Sequence, residues 1–203
     1  MGVTGLVGVG FVIGHMAGNL LVFRGPDAIN AYSHFLKGTG ELLWLVRLVL
    51  IGAVILHVIA AVQLTLQNRA ARPVGYVNRQ PQVTTLASRT MRWGGALLLL
   101  FIVLHILHFT TGTLRPTGSY SDTDVYDNIV TSFRIWWVVL FYVISMIALG
   151  LHLYHGAWSS VRSLGYAHPS GNPLHRRIAL GIAVIVWLGF TAIPVAVFAG
   201  LIG

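Results

Sequence analysis

The chain has 203 residues, of which 56% are hydrophobic and 9% are charged. A soluble core of this length cannot bury so much apolar surface, so the composition excludes an ordinary soluble domain and favours one helical membrane domain over residues 1–203. No cysteine is present, which excludes disulfides and thiolate-bound iron–sulfur clusters. The formal net charge of +8 would suggest nucleic acid in a soluble protein. Here membrane topology explains it, and no nucleic-acid partner is expected.

Five apolar runs are long enough to cross a bilayer as helices. About 20 residues at about 1.5 Å each span the roughly 30 Å hydrocarbon core. The predicted spans are, approximately, 2–23, 42–67, 93–113, 133–158 and 178–202. The sequence therefore predicts an all-α membrane protein with five transmembrane helices, with connecting segments at 24–41, 68–92, 114–134 and 162–177.

The distribution of arginine predicts the orientation of these helices. Segments 68–92 and 162–177 contain eight arginines and no acidic residue, whereas 24–41 and 114–134 carry both signs of charge. By the positive-inside rule the first two segments are cytoplasmic, which places the N-terminus in the cytoplasm and the C-terminus outside. Met1 stands at the start of the first apolar run without a basic n-region, so no cleavable signal peptide is expected.

Four of the five predicted spans contain histidine in their apolar interior. An ionisable side chain at that depth costs about 2.5 kcal/mol or more unless it has a partner inside the protein. Measured along the helices, two of these histidines lie 8 and 9 residues from the outer ends of their spans, and two lie 11 and 10 residues from the inner ends. Depth therefore sorts them into an outer pair and an inner pair, which are His15 with His105 and His57 with His152.

Facing imidazoles in an apolar helix bundle are typical ligands of six-coordinate haem b. Neutral imidazole binds iron strongly, and its second nitrogen can donate to a backbone carbonyl. Zinc, copper or a di-iron site would usually recruit cysteine or carboxylates, which the span interiors lack. Two alternatives remain: the His105/His108 and His152/His155 pairs could each chelate a metal on one helix face, or the histidines could simply be hydrogen-bonded core residues.

Two other features near these histidines each have two interpretations. Gly10, Gly14 and Gly18 recur at four-residue spacing beside His15, which suits either close helix packing or a flat ligand against the backbone. Arg47 lies near the outer end of the second span. Its side chain could extend to the headgroups or could pair with a buried anion such as a haem propionate.

Several short motifs run nearly end to end along the chain. They are Gly14-His15-Met16-Ala17-Gly18-Asn19-Leu20, Ala28-Ile29-Asn30-Ala31-Tyr32, Arg47, His57, Asn68-Arg69-Ala70-Ala71-Arg72-Pro73, His105-Ile-Leu-His108 and His152-Leu-Tyr-His155-Gly156-Ala157-Trp158. In combination they resemble the five-helix, di-haem cytochrome b membrane-anchor subunit of succinate dehydrogenase or fumarate reductase. The resemblance implies that His15 and His105 hold a distal haem b and that His57 and His152 hold a proximal one, in preference to His108 and His155.

The function that this resemblance implies is electron transfer in a bacterial-type inner membrane, between a quinone pool and two soluble subunits, an FAD flavoprotein and an iron–sulfur protein. The chain itself has neither a dinucleotide fingerprint nor a cysteine cluster, so it is not expected to oxidise succinate alone. Alternatives are the haem b subunit of another respiratory complex, such as a hydrogenase or formate dehydrogenase, and a non-redox membrane anchor.

A quinone headgroup needs hydrogen-bond partners at the edge of the hydrocarbon region, and both sides of the membrane offer candidates. Those on the inner side are Arg69, Arg72, Tyr76, Arg89, Trp93, Trp158 and Arg162. Those on the outer side are Tyr32, His34, Glu41 and Arg47. Two haems stacked across the membrane are most useful if electrons must cross it, which favours an outer site and a menaquinone. The alternative is that the outer residues only cap loops and pair with haem propionates.

Overall fold

The computed structural model describes residues 1–71, 85–166 and 173–203. The predictions that involve Arg72, Tyr76 and Arg79 lie outside these residues. The described chain forms seven α-helices: α1 Gly2–Asn19, α2 Pro26–Gly38, α3 Glu41–Ala70, α4 Leu86–His105, α5 Val125–Phe133, α6 Trp136–Ser163 and α7 Pro173–Phe198. A 3-10 turn, Leu20–Arg24, extends α1, and a π-helical turn, Ile106–Thr110, extends α4.

The five predicted spans are confirmed as five long apolar helices within the described residues, which makes the chain a multi-pass membrane protein with five candidate spans there. They are α1 and α4 with their extensions, α3, α6 and α7. The third span begins earlier than predicted, at Leu86, because the Thr85 side chain caps it by accepting a hydrogen bond from the Ser88 amide at 3.2 Å. The fifth also begins earlier, at Pro173, a residue suited to the first helical turn.

Two segments predicted as connections contain helices instead. In α2, Pro26 occupies the first turn with Asp27, and Lys37 lies in the last turn, which suits the helix dipole. In α5, the Asp124 side chain caps the helix by accepting from the Asp127 amide at 3.0 Å. Both helices are short and mix polar with apolar residues, so a search for long apolar runs misses them.

The two ends of the bundle differ in charge and in packing. At one end, which we call the basic end, α1 begins and α6 finishes, since Gly2 lies beside Leu164. At the other, which we call the capped end, α2 packs against α5. Asn30 joins these two helices, donating to the Asp124 carboxylate at 3.0 Å and accepting from the Tyr126 amide at 3.1 Å. All five acidic residues of the chain lie in segments 24–41 and 114–134, which contain α2 and α5 and belong to the capped end.

Close helix packing is concentrated on α6, which packs against α7, α4 and α1. A Cβ at Gly150 in α6 would lie 3.4 Å from the Trp187 Cβ in α7, and one at Gly189 in α7 would overlap the Met16 side chain in α1. Small residues allow such close approach in membrane helices. By contrast, no residue of α3 is buried, and this helix packs chiefly along α1.

The contact between α2 and α5 predicts a pH dependence of stability. Hydrogen bonds from the Asp127 amide and then from the Asn30 side chain hold the pKa of Asp124 below its ordinary value of 3.8. A carboxylate with a lowered folded-state pKa stabilises the fold above its ordinary pKa, and that stability is lost as the pH falls through the folded-state value. We expect the thermal unfolding temperature in detergent to fall below pH 3.8, and to fall less in Asp124→Asn, which carries no titrating carboxyl at this position.

The matched control for this measurement is Asp127→Asn. The Asp127 side chain accepts no hydrogen bond within the described part of the chain, so this variant should keep the pH dependence of the wild type. Equal pH profiles for the wild type and Asp124→Asn would contradict the stabilising role of the Asp124 carboxylate.

Candidate histidine sites in the helix bundle

The first histidine pair joins α1 to α4 on the side of the capped end. The rings of His15 and His105, the cap-side pair, have centroids 5.9 Å apart and an interplanar angle of 83°. Phe11 stacks on His15 at 5.3 Å, and Phe101 stacks on His105 at 5.4 Å. Two imidazoles therefore face each other inside a wall of aromatic rings.

The second pair joins α3 to α6 nearer the basic end. The rings of His57 and His152, the basic-side pair, have centroids 6.1 Å apart and an interplanar angle of 55°. The Thr4 hydroxyl lies 3.1 Å from Nδ1 of His57, which leaves Nε2 of that ring for another partner. Nδ1 of His152 is buried and has no hydrogen-bond partner within the described residues.

Two different helices give the same axial distance between the pairs. A Cβ at Gly5 in α1 would lie 3.6 Å from His57, and one at Gly95 in α4 would lie 3.9 Å from His152. His15 follows Gly5 by ten residues, and His105 follows Gly95 by ten residues. At about 1.5 Å per residue, the two pairs lie about 15 Å apart along the bundle.

His108 lies in a different environment from His105, although the two are separated by only three residues. Its Nδ1 lies 3.1 Å from the Tyr142 hydroxyl, and its Nε2 lies 2.9 Å from the Ser132 hydroxyl. The π-helical turn that follows His105 widens the helix and so alters the angle between successive side chains. Both nitrogens of His108 therefore have protein partners, whereas the ring of His105 faces His15 on α1.

His155 is likewise separated from its neighbour His152. Its ring meets Trp158 edge to face at 5.7 Å. The guanidinium groups of Arg162 and Arg176 lie 5.3 and 4.7 Å from the centroid of the same tryptophan ring. The structure therefore places Trp158 in a basic aromatic cluster at the basic end and leaves His152 to face His57.

The donor set of each pair limits the kind of metal group that could bind. Within the described residues no group of three or more histidine or carboxylate side chains converges on one point, so each pair offers two nitrogens. Imidazoles that bind a metal from opposite sides at about 2.0 Å place their ring centroids about 6 Å apart, as both pairs do. A metal held only by such a pair would take its remaining ligands from outside the protein, and a macrocycle such as haem would supply them.

The helices around the pairs also suit a flat group. Packing of α1 against α4, and of α3 against α6, is slight compared with that of α6 on α7 or α4 on α6. Gly156 follows His152 by one helical turn, and a Cβ there would meet nothing within 4 Å. Side chains therefore bridge helices whose backbones stay apart, which leaves room for a flat group between them.

The glycine stripe of α1 has no single role. A Cβ at Gly18 would overlap the ring of Tyr32, so Gly18 is a site of close packing, as one interpretation predicted. Gly10 and Gly14 have nothing within 4 Å of such a Cβ, so close packing does not explain them.

The predicted quinone residues are scattered. At the capped end, His34 and Glu41 are exposed, Tyr32 lies against Gly18, and Arg47 lies 5.0 Å from the centroid of the Trp44 ring on its own helix. Towards the basic end, Trp93 is 83% exposed. It borders a largely apolar cleft of about 280 Å³ between α4 and α6, which His152 also lines.

Sequence reasoning missed the hydrogen-bond partners of the histidines. These partners are Thr4, Asn19, Ser132 and Tyr142. Asn19 follows His15 by one turn, so helical spacing could have identified it. The other three partners lie on helices remote in sequence, and no spacing rule connects them to a histidine.

Comparison of the chain with protein-family models, with curated proteins and with solved structures finds no match.

The different environments of His105 and His108 predict different outcomes of substitution. His105→Ala removes one ring of the cap-side pair, so, if each pair holds one haem as the sequence predicts, the variant should bind half as much haem as the wild type. His108→Ala keeps the pair but leaves the Ser132 hydroxyl without its histidine partner and removes one of the two histidine contacts of the Tyr142 hydroxyl. We expect it to retain the haem and to lose about 1–3 kcal/mol of stability. Haem per chain and the unfolding temperature in detergent measure the two effects, and haem loss in His108→Ala alone would reverse the assignment.

Proposed function

We propose that this chain is the di-haem cytochrome b membrane subunit of a succinate:quinone oxidoreductase, either a succinate dehydrogenase or a fumarate reductase. The observation that carries the proposal is the presence of two facing histidine pairs, with centroids 5.9 and 6.1 Å apart, at two levels of one membrane bundle. The motif order along the chain supports this type of subunit over other haem b subunits.

In this proposal His15 and His105 hold one haem b, and His57 and His152 hold the other. Bound haems would supply one-electron carriers at two depths, which suits transfer between an iron–sulfur protein and a quinone. The protein's own contribution is to fix the four rings and keep water away from them. The Thr4 hydroxyl lies beside Nδ1 of His57, and the Asn19 amide lies beside both ring nitrogens of His15. Phe101, which packs against the core of the capped end, stacks on His105.

Charge supports the proposed orientation, with the basic end in the cytoplasm and the capped end outside. Six arginines in the described residues belong to the basic end; they are Arg69, Arg89, Arg92, Arg162, Arg176 and Arg177. Since no acidic residue accompanies them, this end suits both anionic lipid headgroups and the docking of the iron–sulfur subunit, with the FAD flavoprotein beyond it.

We place the quinone, a menaquinone, at the capped end. Glu41 begins α3, and both Glu41 and His34 are exposed, so either side chain can exchange protons with the outside. The cleft beside Trp93 is the other candidate. Its walls are almost entirely apolar, which suits a hydrocarbon tail better than a headgroup.

The experiment that tests the proposed function is a haem count on the purified protein. We expect two haems b per chain by pyridine haemochrome assay, with the absorption spectrum of low-spin, bis-histidine iron. One haem or none, with loss during purification excluded, would contradict the proposal. Copurification of hydrogenase or formate dehydrogenase subunits would instead assign the chain to another respiratory complex.

The quinone site predicts a second outcome. Glu41→Gln and His34→Gln remove a group that can transfer protons while keeping similar size, so we expect at least one of them to lower quinone-linked turnover about tenfold or more with haem content unchanged. Thr90→Val, which alters the lining of the cleft beside Trp93, is the control and should retain activity. Full activity in both capped-end variants would leave that site without support.

A further inference from the structure

A hydrogen-bonded row of side chains begins at His105 and continues through residues that the proposed function does not use. Nδ1 of His105 lies 3.3 Å from the Tyr142 hydroxyl. That hydroxyl lies 3.1 Å from Nδ1 of His108, and Nε2 of His108 lies 2.9 Å from the Ser132 hydroxyl. Tyr142, His108 and Ser132 are all buried, with 7%, 8% and 4% of their surface exposed.

Binding of a metal by His105 would give this row a single proton order. An imidazole that binds through Nε2 carries its proton on Nδ1, and a neutral imidazole has one donor and one acceptor. His105 then donates from Nδ1 to the Tyr142 oxygen, and the Tyr142 hydroxyl donates to Nδ1 of His108. His108 donates in turn from Nε2 to the Ser132 oxygen. Each direction follows from the one before it.

We propose that Tyr142 is a positioning residue for His105, and that His108 and Ser132 keep the Tyr142 hydroxyl proton directed away from His105. The inference rests on the proposed function, because it concerns how one histidine that would bind the cap-side haem is held. A hydrogen bond from the second nitrogen of a ligating histidine fixes the ring and raises its basicity. A more basic ligand stabilises ferric over ferrous iron, so Tyr142 lowers the midpoint potential of the haem at this pair.

The basic-side pair provides a matched comparison. The Thr4 hydroxyl lies 3.1 Å from Nδ1 of His57. This is the same kind of contact as that between the Tyr142 hydroxyl and Nδ1 of His105, but it involves different helices and lies at the other level. Loss of the hydroxyl in Thr4→Val should therefore affect the basic-side haem and leave the cap-side haem unchanged, whereas loss of the Tyr142 hydroxyl should do the reverse.

The test is a spectroscopic redox titration of the purified wild type, Tyr142→Phe, Ser132→Ala and Thr4→Val, resolved into two haem components. For Tyr142→Phe we expect about a tenfold shift towards the reduced form in one component, which is about 59 mV for a one-electron couple. The electron paramagnetic resonance signal of that haem should change with it, because it reports the relative orientation of the ligand planes. Ser132→Ala should shift the same component less, and Thr4→Val should shift the other.

Tyr142→Phe with both haems bound and both potentials unchanged would overturn the inference while leaving the proposed function intact. Equal shifts of both components would also overturn it, since they would indicate general loosening of the bundle. If Tyr142→Phe loses the cap-side haem, Ser132→Ala becomes the deciding variant. A shift in the midpoint potential of the cap-side component alone would support the inference, and an unchanged potential would overturn it. A wild type without haem would overturn the proposed function and this inference together.

Discussion

A ring nitrogen inside the hydrocarbon region of a membrane has no water with which to pair, so each intramembrane histidine must find its partner within the protein. Two arrangements of histidine occur among the described residues. His108 is satisfied on both nitrogens by protein hydroxyls. The four paired histidines each face another imidazole. Of these four, His15, His57 and His105 also have a hydrogen-bonding neighbour, whereas Nδ1 of His152 has none. Only the second arrangement leaves nitrogens suited to a metal.

Helix packing fixes the separation of the two histidine pairs. Tight contacts at Gly150 and Gly189 hold α1, α6 and α7 together, and α4 packs on α6. The members of each pair belong to helices that pack only slightly on each other, so the rings meet across a space and not through backbone contact. Because the interval between the two levels is ten residues on both α1 and α4, the two pairs are the same axial distance apart along each of these helices.

Hydropathy and depth were sufficient to predict the spans and to place His15 with His105 and His57 with His152, because both depend on helix rise alone. They did not predict α2 and α5, whose polar residues hide them from a search for apolar runs. Nor could depth separate His105 from His108, which differ by less than one turn. That distinction depends on Tyr142 and Ser132, which reach the site from other helices through tertiary packing that no periodicity encodes. Haem, quinone and soluble partners remain proposals that resemblance and geometry support.

The absence of buried residues in α3 has a consequence for biogenesis. Membrane helices insert individually and then associate through packing and interhelical hydrogen bonds. Since no residue of α3 is buried and it packs chiefly along α1, we expect it to be held less firmly than α6 or α7, yet it carries His57. Under the proposed function, cofactor insertion between His57 and His152 fastens this helix to the bundle. Maturation of the subunit would then be coupled to the supply of haem, because a chain made without haem would lack this link between α3 and α6.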